Sequence, residues 1–284
     1  MPERPDLEYV VPVLLRALKG QRITGASVHN PVVMRQMVLG EPSELLVGAE
    51  IQGIKRRAHF VHFVLSGPVD LVISPMLAGC FDHVPHKQRK RKDVAFVLEF
   101  GEMLLRYRDD VQMGKVYLSP RDKLLEIPGF AKIGIDVLGR AFTLEKLTQI
   151  TKRERRQVKV FLMDKTKLDS MGNAYADEVL FAAGIHPKVR GTELSLDQVA
   201  NLHGAIVSVL KTARTLIRRR KPPLDQKQRD FVKVRNRKGQ PCPTCGTAIR
   251  AAGVHGHDAF FCPSCQPDTK GRGFVDWSRI PGPS

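Results

Sequence analysis

Apolar residues near the start of the chain recur at the spacing of one face of an α-helix. Between Leu7 and Leu18 they stand mostly three or four positions apart. Pro5 lies where the first turn would begin, a position that proline favours because no hydrogen bond from its nitrogen is needed there. The pattern therefore predicts an N-terminal helix whose apolar positions are Val10, Val11, Val13, Leu14, Leu15 and Leu18.

After this helix, short runs of β-branched and aromatic residues alternate with Pro and Gly, which is typical of a β-sandwich or barrel. The basic run HKQRKRK at 86–92 is interpreted as a solvated hairpin loop, with a contact to phosphate groups as the alternative. The predicted strands cover residues 23–28, 60–65, 71–73, 94–100, 103–107 and 116–118.

Helical periodicity returns after residues 129–139 and predicts three helices, the last with Ser195 as its N-cap. The charge and the prolines of residues 218–230, RRRKPPLDQKQRD, oppose any regular element there. The predicted helices cover residues 144–163, 173–183 and 196–216.

These patterns predict an α+β fold and a division of the chain into domains. We predict a β-sandwich with its N-terminal helix over residues 1–132 and an α-helical domain over 143–217. A basic linker over 218–230 then leads to a small C-terminal domain over 231–284. The length of 284 residues agrees with roughly two domains of about 100–200 residues each.

The composition, with 42% hydrophobic and 26% charged residues, excludes disorder throughout the chain. The most apolar window, 60–81, is broken by Gly67, Pro68, Asp70 and Pro75, so it falls short of the about 20 apolar residues of a membrane span. Because the first residues also lack the features of a secretory signal, we expect a cytosolic protein without membrane contact.

Positive charge is concentrated toward the end of the chain. Residues 211–284 hold 16 Lys or Arg against 5 Asp, which is +11 of a net charge of +17. Such a basic surface favours phosphate-rich partners, nucleic acid above all, whose binding weakens as salt is added. The alternative is a solvated surface that only keeps the protein soluble.

Four of the five cysteines form two close pairs, CPTC at 242–245 and CPSC at 262–265, with sixteen residues between them. This spacing is typical of tetrahedral zinc, and four thiolates leave no coordination site for water, so we predict one structural zinc ion. A disulfide pair is the alternative, and a reducing compartment disfavours it. Cys80 stands alone and is predicted to be a small buried hydrophobic residue. The predicted ligands are Cys242, Cys245, Cys262 and Cys265.

Three separated segments carry a likeness to a known family: MPERPDLE at the start, MGNAYADEVLFAAGIHP at 171–187, and RKGQPCPTCGTAI with FFCPSCQ at 237–266. Together they resemble the formamidopyrimidine-DNA glycosylase and endonuclease VIII family. The resemblance implies a β-sandwich, a helix-two-turns-helix domain and a zinc ribbon, with double-stranded DNA bound in the cleft between the domains. It further implies a bifunctional DNA glycosylase with abasic-site lyase activity, which excises damaged, chiefly oxidised, bases in base excision repair.

The resemblance places the catalytic groups in the first residues. With Met1 removed, the amine of Pro2 would attack C1′ of the damaged nucleotide, and a terminal amine suits this role because its pKa, about 7.7–8.0, lies well below that of lysine. Glu3 would protonate the sugar ring oxygen and shuttle protons. Asp6, where the family usually has Glu, would support them. Taken alone, Pro2 would be an exposed terminal residue and Glu3 a helix N-terminal charge.

Other residues match or replace the DNA contacts of the family. Asn173 would hold backbone phosphates with the nearby helix amides, whereas by itself it would be a helix cap. His59 stands where the family usually has Lys, and His257 where it has Arg. Histidine ordinarily titrates near pH 6.5, so we expect the affinity for DNA to depend on pH.

Leu77, Val111 and Met113 align with the Met, Arg and aromatic residue that fill the gap left by the everted base. Leu and Met still suit a wedge between bases, although no Arg is left for the orphaned partner base, beside which Gln112 stands. The alternative places Leu77 and Met113 in the core.

Two other functions stay open: an abasic-site lyase or damaged-DNA-binding relative without base excision, and a non-catalytic zinc-ribbon nucleic-acid adaptor. Residues 218–230 lack the glycines usual in the loop that covers oxidised purines in some family members. Oxidised pyrimidines, ring-opened purines and abasic sites therefore all stay open as substrates. We expect a monomer that acts on nucleoid DNA in the cytoplasm.

Overall fold

The computed structural model describes residues 2–89, 91–169 and 171–268. The chain forms two compact units: unit 1 contains Met1–Ile133 and Ala213–Gln228, and unit 2 contains Gly134–Thr212 and Arg229–Ser284. Lys90 of the basic run and residues 269–284 of the predicted C-terminal domain lie outside the described residues.

Unit 1 begins with the helix α1, Arg4–Leu18, which starts three residues before the apolar pattern. Glu3 is its N-cap residue, and Pro5 lies in its first turn as predicted. Leu7, Leu14 and Leu18 on its apolar face are fully buried. Burial of such a face stabilises a helix more than its intrinsic propensity does, so α1 is anchored along its length.

Two sheets face each other across the core of unit 1. The strands are β1 (Gly25–Val28), β2 (Met34–Gln36), β3 (Ile51–Arg57), β4 (Phe60–Leu65), β5 (Val69–Ser74), β6 (Cys80–Pro85), β7 (Val94–Phe100), β8 (Met103–Arg108) and β9 (Lys115–Pro120). The sheet orders are β1-β7-β8-β6 and β2-β9-β5-β4-β3, with only β2 and β9 parallel. Phe63 and Leu71 of one sheet and Phe96 and Leu105 of the other share one buried cluster with α1. The structure thus confirms the predicted sandwich.

The hairpin predicted at the basic run is wrong. Strands β6 and β7 both pair with β8 and not with each other, so residues 86–93 connect two strands that flank a third. The sequence pattern also missed β2, β3 and β6, because polar and charged side chains interrupt their apolar residues. A short helix α2, Pro42–Leu46, and 3₁₀ turns at Pro31–Val33 and Arg121–Glu126 complete unit 1.

Unit 2 is mainly helical, and the single helix predicted over 144–163 is wrong. The helices are α3 (Leu144–Thr151), α4 (Val158–Met163), α5 (Asn173–Ala182) and α6 (Leu196–Arg220), the last of which continues into unit 1. Between α3 and α4 the carboxylate of Glu154 accepts bonds from the backbone N–H of Arg156 at 3.0 Å and from its Nε at 2.8 Å. Such local hydrogen bonds compete with the helical ones and end α3, although no Pro or Gly marks the break.

The helix α6 begins as predicted and ends later. The Oγ of Ser195 accepts from the N–H of Gln198 at 3.2 Å, and the Oε1 of Gln198 accepts from the N–H of Ser195 at 3.0 Å, a capping box. Arginine is a good helix former, so residues 218–220 of the predicted linker are helical, which corrects that prediction. The helix stops at Lys221, whose φ is +48°, just before Pro222. No helix among the described residues is long and apolar enough to cross a membrane.

A two-stranded ribbon, β10 (Arg250–Val254) paired with β11 (His257–Phe261), ends the described part of unit 2. Its small core joins the ribbon to helix α5 through Phe181. Gln266 fixes this contact, because its Nε2 donates to the carbonyl of Ile185 at 2.8 Å while its Oε1 accepts from the N–H of Cys262 at 3.0 Å.

Candidate active site and zinc centre

The first turn of α1 brings Glu3 and Asp6 together. Both are buried, with 3% and 7% of their surface exposed. The N–H of Glu3 donates to Oδ2 of Asp6 at 2.8 Å, and their side chains form a reciprocal capping box. Asp6 therefore fixes the backbone of Glu3. Glu3 also lies at the N-terminus of the helix, as expected if it were only a helix N-terminal charge.

A small cavity of about 20 Å³ in unit 1 is lined by both Pro2 and Asp6. A space of this size holds about one water molecule. Pro2 itself is buried, which disagrees with its alternative interpretation as an exposed terminal residue. The remaining lining comes from α1, from Cys80 and Phe81 of β6, from the end of α6, and from residues 222–228, which we call the strap.

The strap is tied to the rest of unit 1 at several points. The carbonyl of Pro222 accepts from the hydroxyl of Tyr9 at 2.8 Å. The ammonium of Lys227 donates to the carbonyl of Leu77 at 3.1 Å, and Leu224 packs against the main core. The strap is therefore a fixed wall of the cavity that Pro2 lines.

Arg108 of β8 is a buried arginine that joins three carboxylates. Its Nη1 lies 3.1 Å from Asp82 and 2.9 Å from Asp225 of the strap, and its Nη2 lies 2.7 Å from Asp93. Burial works to lower the pKa of Arg108, but the carboxylates outweigh it and raise that pKa. Hydrogen bonds from Arg108 in turn lower the pKa of Asp93. One guanidinium thus holds β6, the start of β7 and the strap together.

Two turns carry the three residues aligned with the gap-filling positions of the family: 75–79 with Leu77, and 109–114 with Val111 and Met113. The carboxylate of Asp109 shapes the second turn by accepting from the N–H groups of residues 111, 112 and 114 at 3.2, 3.1 and 2.6 Å. The turns share one support, the hydroxyl of Tyr107. A Cβ on Gly79 would lie 2.4 Å from it and one on Gly114 only 1.7 Å, so both positions require glycine.

All three aligned residues are exposed, by 53% for Leu77, 50% for Val111 and 43% for Met113. These exposures disagree with the alternative that Leu77 and Met113 are core residues. Large apolar side chains held at the surface are typical of contact sites.

His59 lies at the tip of the β3–β4 hairpin, in the two-residue turn between the paired residues Arg57 and Phe60. It is half-buried, and its ring lies 4.1 Å from the ring of Phe60. The Nε of Arg57 donates to the carbonyl of Phe130 at 2.9 Å, so the hairpin is anchored behind its tip.

In unit 2, Asn173 is the first residue of α5, and the N-cap is Gly172. The interpretation of Asn173 as a helix cap is therefore wrong. Its Oδ1 is buried and has no hydrogen-bond partner within the described ranges. This oxygen can only accept a hydrogen bond, so it is the N–H groups of the first helical turn that suit an anion.

The four cysteines of CPTC and CPSC meet in one cluster, with all Sγ atoms within 4.8 Å of one another. The Sγ separations include 3.8 Å for Cys242–Cys265, 3.4 Å for Cys245–Cys262 and 3.5 Å for Cys245–Cys265. Zn–S bonds of about 2.3 Å place tetrahedral thiolates about 3.8 Å apart, whereas a disulfide needs about 2.05 Å. The donor set therefore fits one structural zinc ion and not a disulfide pair.

A buried charge cluster supports the ribbon strand that begins with the exposed His257. Lys159 of α4 and Asp177 of α5 are fully buried and form an ion pair at 2.5 Å, and Arg235 binds the same carboxylate at 3.0 Å. Both cations also donate to the carbonyl of Asp258. Burial lowers the pKa of Lys159 and raises that of Asp177 to about 6.

Glu178, the next residue of α5, holds the segment that leads to the ribbon. Its two carboxylate oxygens accept from the N–H groups of Lys233, Val234 and Arg235 at 2.7, 2.9 and 3.0 Å. Three backbone donors on one carboxylate fix the course of the chain at this point.

The three parts of the chain match the models of one family. Residues 1–116 match the N-terminal domain of formamidopyrimidine-DNA glycosylase, 133–219 its H2TH domain, and 239–267 the zinc finger found in FPG and IleRS. The formamidopyrimidine-DNA glycosylases of Pelotomaculum thermopropionicum and Brevibacillus brevis are 32% and 34% identical over 278 and 276 residues. Both alignments cover 94% of this chain and 99% of the relative. The chain belongs to the formamidopyrimidine-DNA glycosylase family.

Solved structures of formamidopyrimidine-DNA glycosylase, or Fpg, agree with this assignment. Fpg from Lactococcus lactis in complex with abasic-site DNA has a TM-score of 0.85 at 25% identity, covering 94% of this chain and all of the other. The same enzyme with DNA that contains an oxidised pyrimidine has a TM-score of 0.86 at 26% identity. The resemblance, the fold class and the enzyme class predicted from the sequence are confirmed: the chain is a DNA glycosylase of base excision repair.

Sequence reasoning missed Arg108, Lys159 and Lys227, and it recorded Glu178 only as part of a motif. Lys159 did carry a signal, because a single lysine inside the apolar run VKVFLM implies a buried charge that needs a partner. Arg108 and Lys227 carried none, since their partners come from distant parts of the chain.

Proposed function

We propose that this formamidopyrimidine-DNA glycosylase is bifunctional and uses Pro2 as its nucleophile once Met1 is removed. The buried Glu3–Asp6 pair, next to the cavity that Pro2 lines, is the observation that carries this proposal. The neutral proline amine attacks C1′ of the target nucleotide, the glycosidic bond breaks, and the base leaves with its bonding electrons and takes up a proton. The attacking nitrogen then releases its own proton, which restores its lone pair.

Glu3 acts as the acid and base of the following steps. It protonates the sugar ring oxygen, so that the C1′–O4′ bond opens and the nitrogen lone pair completes an iminium. Loss of a C2′ proton then expels the 3′ phosphate by β-elimination. Asp6 positions Glu3 through its hydrogen bond to the Glu3 N–H and need not touch the substrate.

The proposed DNA contacts lie in both units. In unit 2, the amide of Asn173 and the first turn of α5 bind backbone phosphates, and the hairpin with His257 contacts the same duplex. In unit 1, His59 binds a phosphate, while Leu77 and Met113 enter the base stack from their exposed turns. The partner is double-stranded DNA with a damaged base or an abasic site, and the enzyme works as a monomer on the nucleoid in the cytoplasm.

A second candidate is an enzyme of this family that acts chiefly on abasic sites. Val111 favours it, because its side chain offers no hydrogen bond to an orphaned base. The adaptor without catalysis is disfavoured by the burial of Glu3 and Asp6.

Borohydride trapping tests both candidates. Purified protein is incubated with duplexes that carry an abasic site, an oxidised pyrimidine or a ring-opened purine, and the iminium is reduced to a stable adduct. An adduct on damaged bases supports the bifunctional enzyme, whereas an adduct on abasic DNA alone supports the second candidate.

Peptide mapping of the adduct identifies the amine. Lys227 lines the same cavity as Pro2, so a link to Lys227 in place of the terminal nitrogen contradicts the proposed nucleophile. Glu3→Gln serves as the matched variant, because its amide oxygen retains a hydrogen-bond acceptor while the proton donor is lost. Unchanged turnover by Glu3→Gln contradicts the role of Glu3.

A further inference from the structure

The basic run, which the proposed function leaves unexplained, belongs to a loop whose described residues are anchored on both sides of residue 90. We call residues 86–93 between β6 and β7 the basic loop, and its residue 90 lies outside the described residues. Its start is anchored by the N–H of His86, which donates to the carbonyl of Glu102 at 2.7 Å. The N–H of Gln88 donates to the carbonyl of Pro85 at 2.9 Å and closes a turn.

Two buried arginines of β8 hold the rest of this loop. Arg106 is 4% exposed, and its guanidinium donates to the carbonyl of Gln88 at 2.7 Å and to that of Arg89 at 3.0 Å. Arg108 binds the carboxylate of Asp93 at the other end of the loop. Arg106 and Arg108 of β8 thus hold the loop in place through its carbonyl groups and Asp93, although the loop itself is basic.

The loop presents further cations to solvent. Lys87, Arg89 and Lys92 are exposed, and within the described part of the chain none of them forms an ion pair with an acidic side chain. Arg91 differs, because it lies 3.5 Å from Asp93 and 4.0 Å from Asp225, which balance its charge. Like charges held side by side at the surface raise the local concentration of anions.

The position of the loop in unit 1 indicates which anion its exposed cations would bind. The basic loop borders a groove of about 610 Å³, and Asp225 of the strap lies on the same groove. Leu224 and Gln226, which flank Asp225 in the strap, line the cavity of Pro2. The groove of the basic loop and the cavity of Pro2 therefore share the strap as a common wall.

We propose that the basic loop is a further DNA-binding surface, which binds backbone phosphates of the duplex that flanks the lesion. The proposal rests on the proposed function, because the target is the DNA that the enzyme cuts. A fixed backbone lowers the entropy lost on binding, and phosphate contacts position the duplex without reading its sequence. The loop is therefore expected to strengthen binding equally at every flanking sequence.

The test compares two triple variants in binding to a duplex with a tetrahydrofuran abasic-site analogue. Lys87→Ser/Arg89→Ser/Lys92→Ser removes the exposed loop cations, and Lys19→Ser/Lys123→Ser/Lys132→Ser removes three exposed cations elsewhere in unit 1. Lys19 follows the last residue of the 15-residue helix α1, about 22 Å from the end that carries Glu3 at about 1.5 Å per residue. Fluorescence anisotropy gives the affinity from 50 to 200 mM salt.

Each lost phosphate contact lowers the slope of log affinity against log salt by about 0.9, so the loop variant should differ from wild type by up to about 2.7. Between 50 and 200 mM salt, wild type should then lose up to about 40-fold more affinity than the loop variant. The control variant should keep the wild-type slope. Equal slopes for the loop variant and wild type overturn the proposal, as do equal losses in both variants.

Duplexes shortened on one side of the lesion locate the contact. The difference between wild type and the loop variant should disappear when one particular flank is removed, and its persistence on both shortened duplexes contradicts a flank contact. Thermal unfolding checks that the loop variant is folded. Wild-type trapping on abasic DNA is measured separately: its failure counts against the proposed function, while the salt slopes still decide on the loop.

Discussion

At the residue scale, Asp70 shows how a buried charge makes stability depend on pH. Its carboxylate lies 2.8 Å from Nε2 of His62 and 3.0 Å from Nη2 of Arg121, and it accepts from the N–H of Leu65 at 3.1 Å. Burial opposes ionisation, but the hydrogen bonds from His62, Arg121 and Leu65 outweigh it and lower the pKa of Asp70 to about 2.

A folded pKa below the unfolded value of about 3.9 means that Asp70 stabilises the protein above that pH and loses this effect as the pH falls toward 2. Through Asp70, the free energy of unfolding should fall by about 2 kcal/mol between pH 5 and 2. Urea unfolding of Asp70→Asn should lack this part of the acid dependence, while the exposed Asp122→Asn should retain it. Equal acid sensitivity of Asp70→Asn and wild type would refute the assignment.

Asp6 is the second case at this scale, because its carboxylate holds the backbone of Glu3. Asp6→Ala removes the acceptor and should cost about 1 kcal/mol of stability, a typical helix-cap effect, and slow adduct formation on abasic DNA. Asp6→Asn keeps an acceptor oxygen and should recover most of both. Single-turnover trapping at saturating protein gives the rate, and a wild-type rate in Asp6→Ala would contradict the positioning role.

At the scale of elements, the Lys159–Asp177 pair joins α4 to α5 and both to the ribbon. Asp177→Leu leaves Lys159 and Arg235 without their shared carboxylate, which costs about 3–5 kcal/mol, whereas Lys159→Met leaves Asp177 paired with Arg235. Asp177→Leu should therefore be strongly destabilising and Lys159→Met less so, and the double variant should lose less than the sum of the two. A double variant that loses the sum of the two single effects would show that the residues act independently.

The ribbon adds a second readout for this double variant. Without the donor from Lys159, the carbonyl of Asp258 loses one of its two side-chain bonds, and Arg235 alone still reaches it. A variant that recovers stability but not DNA affinity would thus separate the support of the ribbon from the stability of the fold.

Elements marked by a continuous apolar run, or by an apolar helix face with a cap, were predicted well from the sequence. Strands β4 and β7 have the predicted limits, and α1 and α6 begin near their apolar patterns and caps. The break between α3 and α4 was missed because a carboxylate, not a breaker residue, ends the helix. Partners such as Asp225 for Arg108 lie 117 positions apart, and no local pattern shows such a pair.

At the scale of the whole molecule, two histidines replace permanent charges among the predicted DNA contacts. His257 is exposed on the ribbon and His59 half-buried at a hairpin tip. A histidine carries no permanent charge, so arginine at either position should strengthen the binding of abasic-site DNA. An effect of about fivefold per contact corresponds to roughly 1 kcal/mol.

His257→Arg tests the exposed position on the ribbon. It places a permanent charge there and should raise the affinity for abasic-site DNA, whereas His257→Gln should not. An unchanged affinity in His257→Arg would contradict a phosphate contact at this position.

The hydroxyl of Tyr107 lies between Gly79 and Gly114 and limits which residues these two positions can accept. Any side chain at either glycine would collide with the Tyr107 hydroxyl, so both turns require glycine at these positions. The residues at their tips, Leu77, Val111 and Met113, meet no such constraint because they are exposed. Substitutions can therefore accumulate at the tips while the two glycines and the tyrosine behind them stay the same.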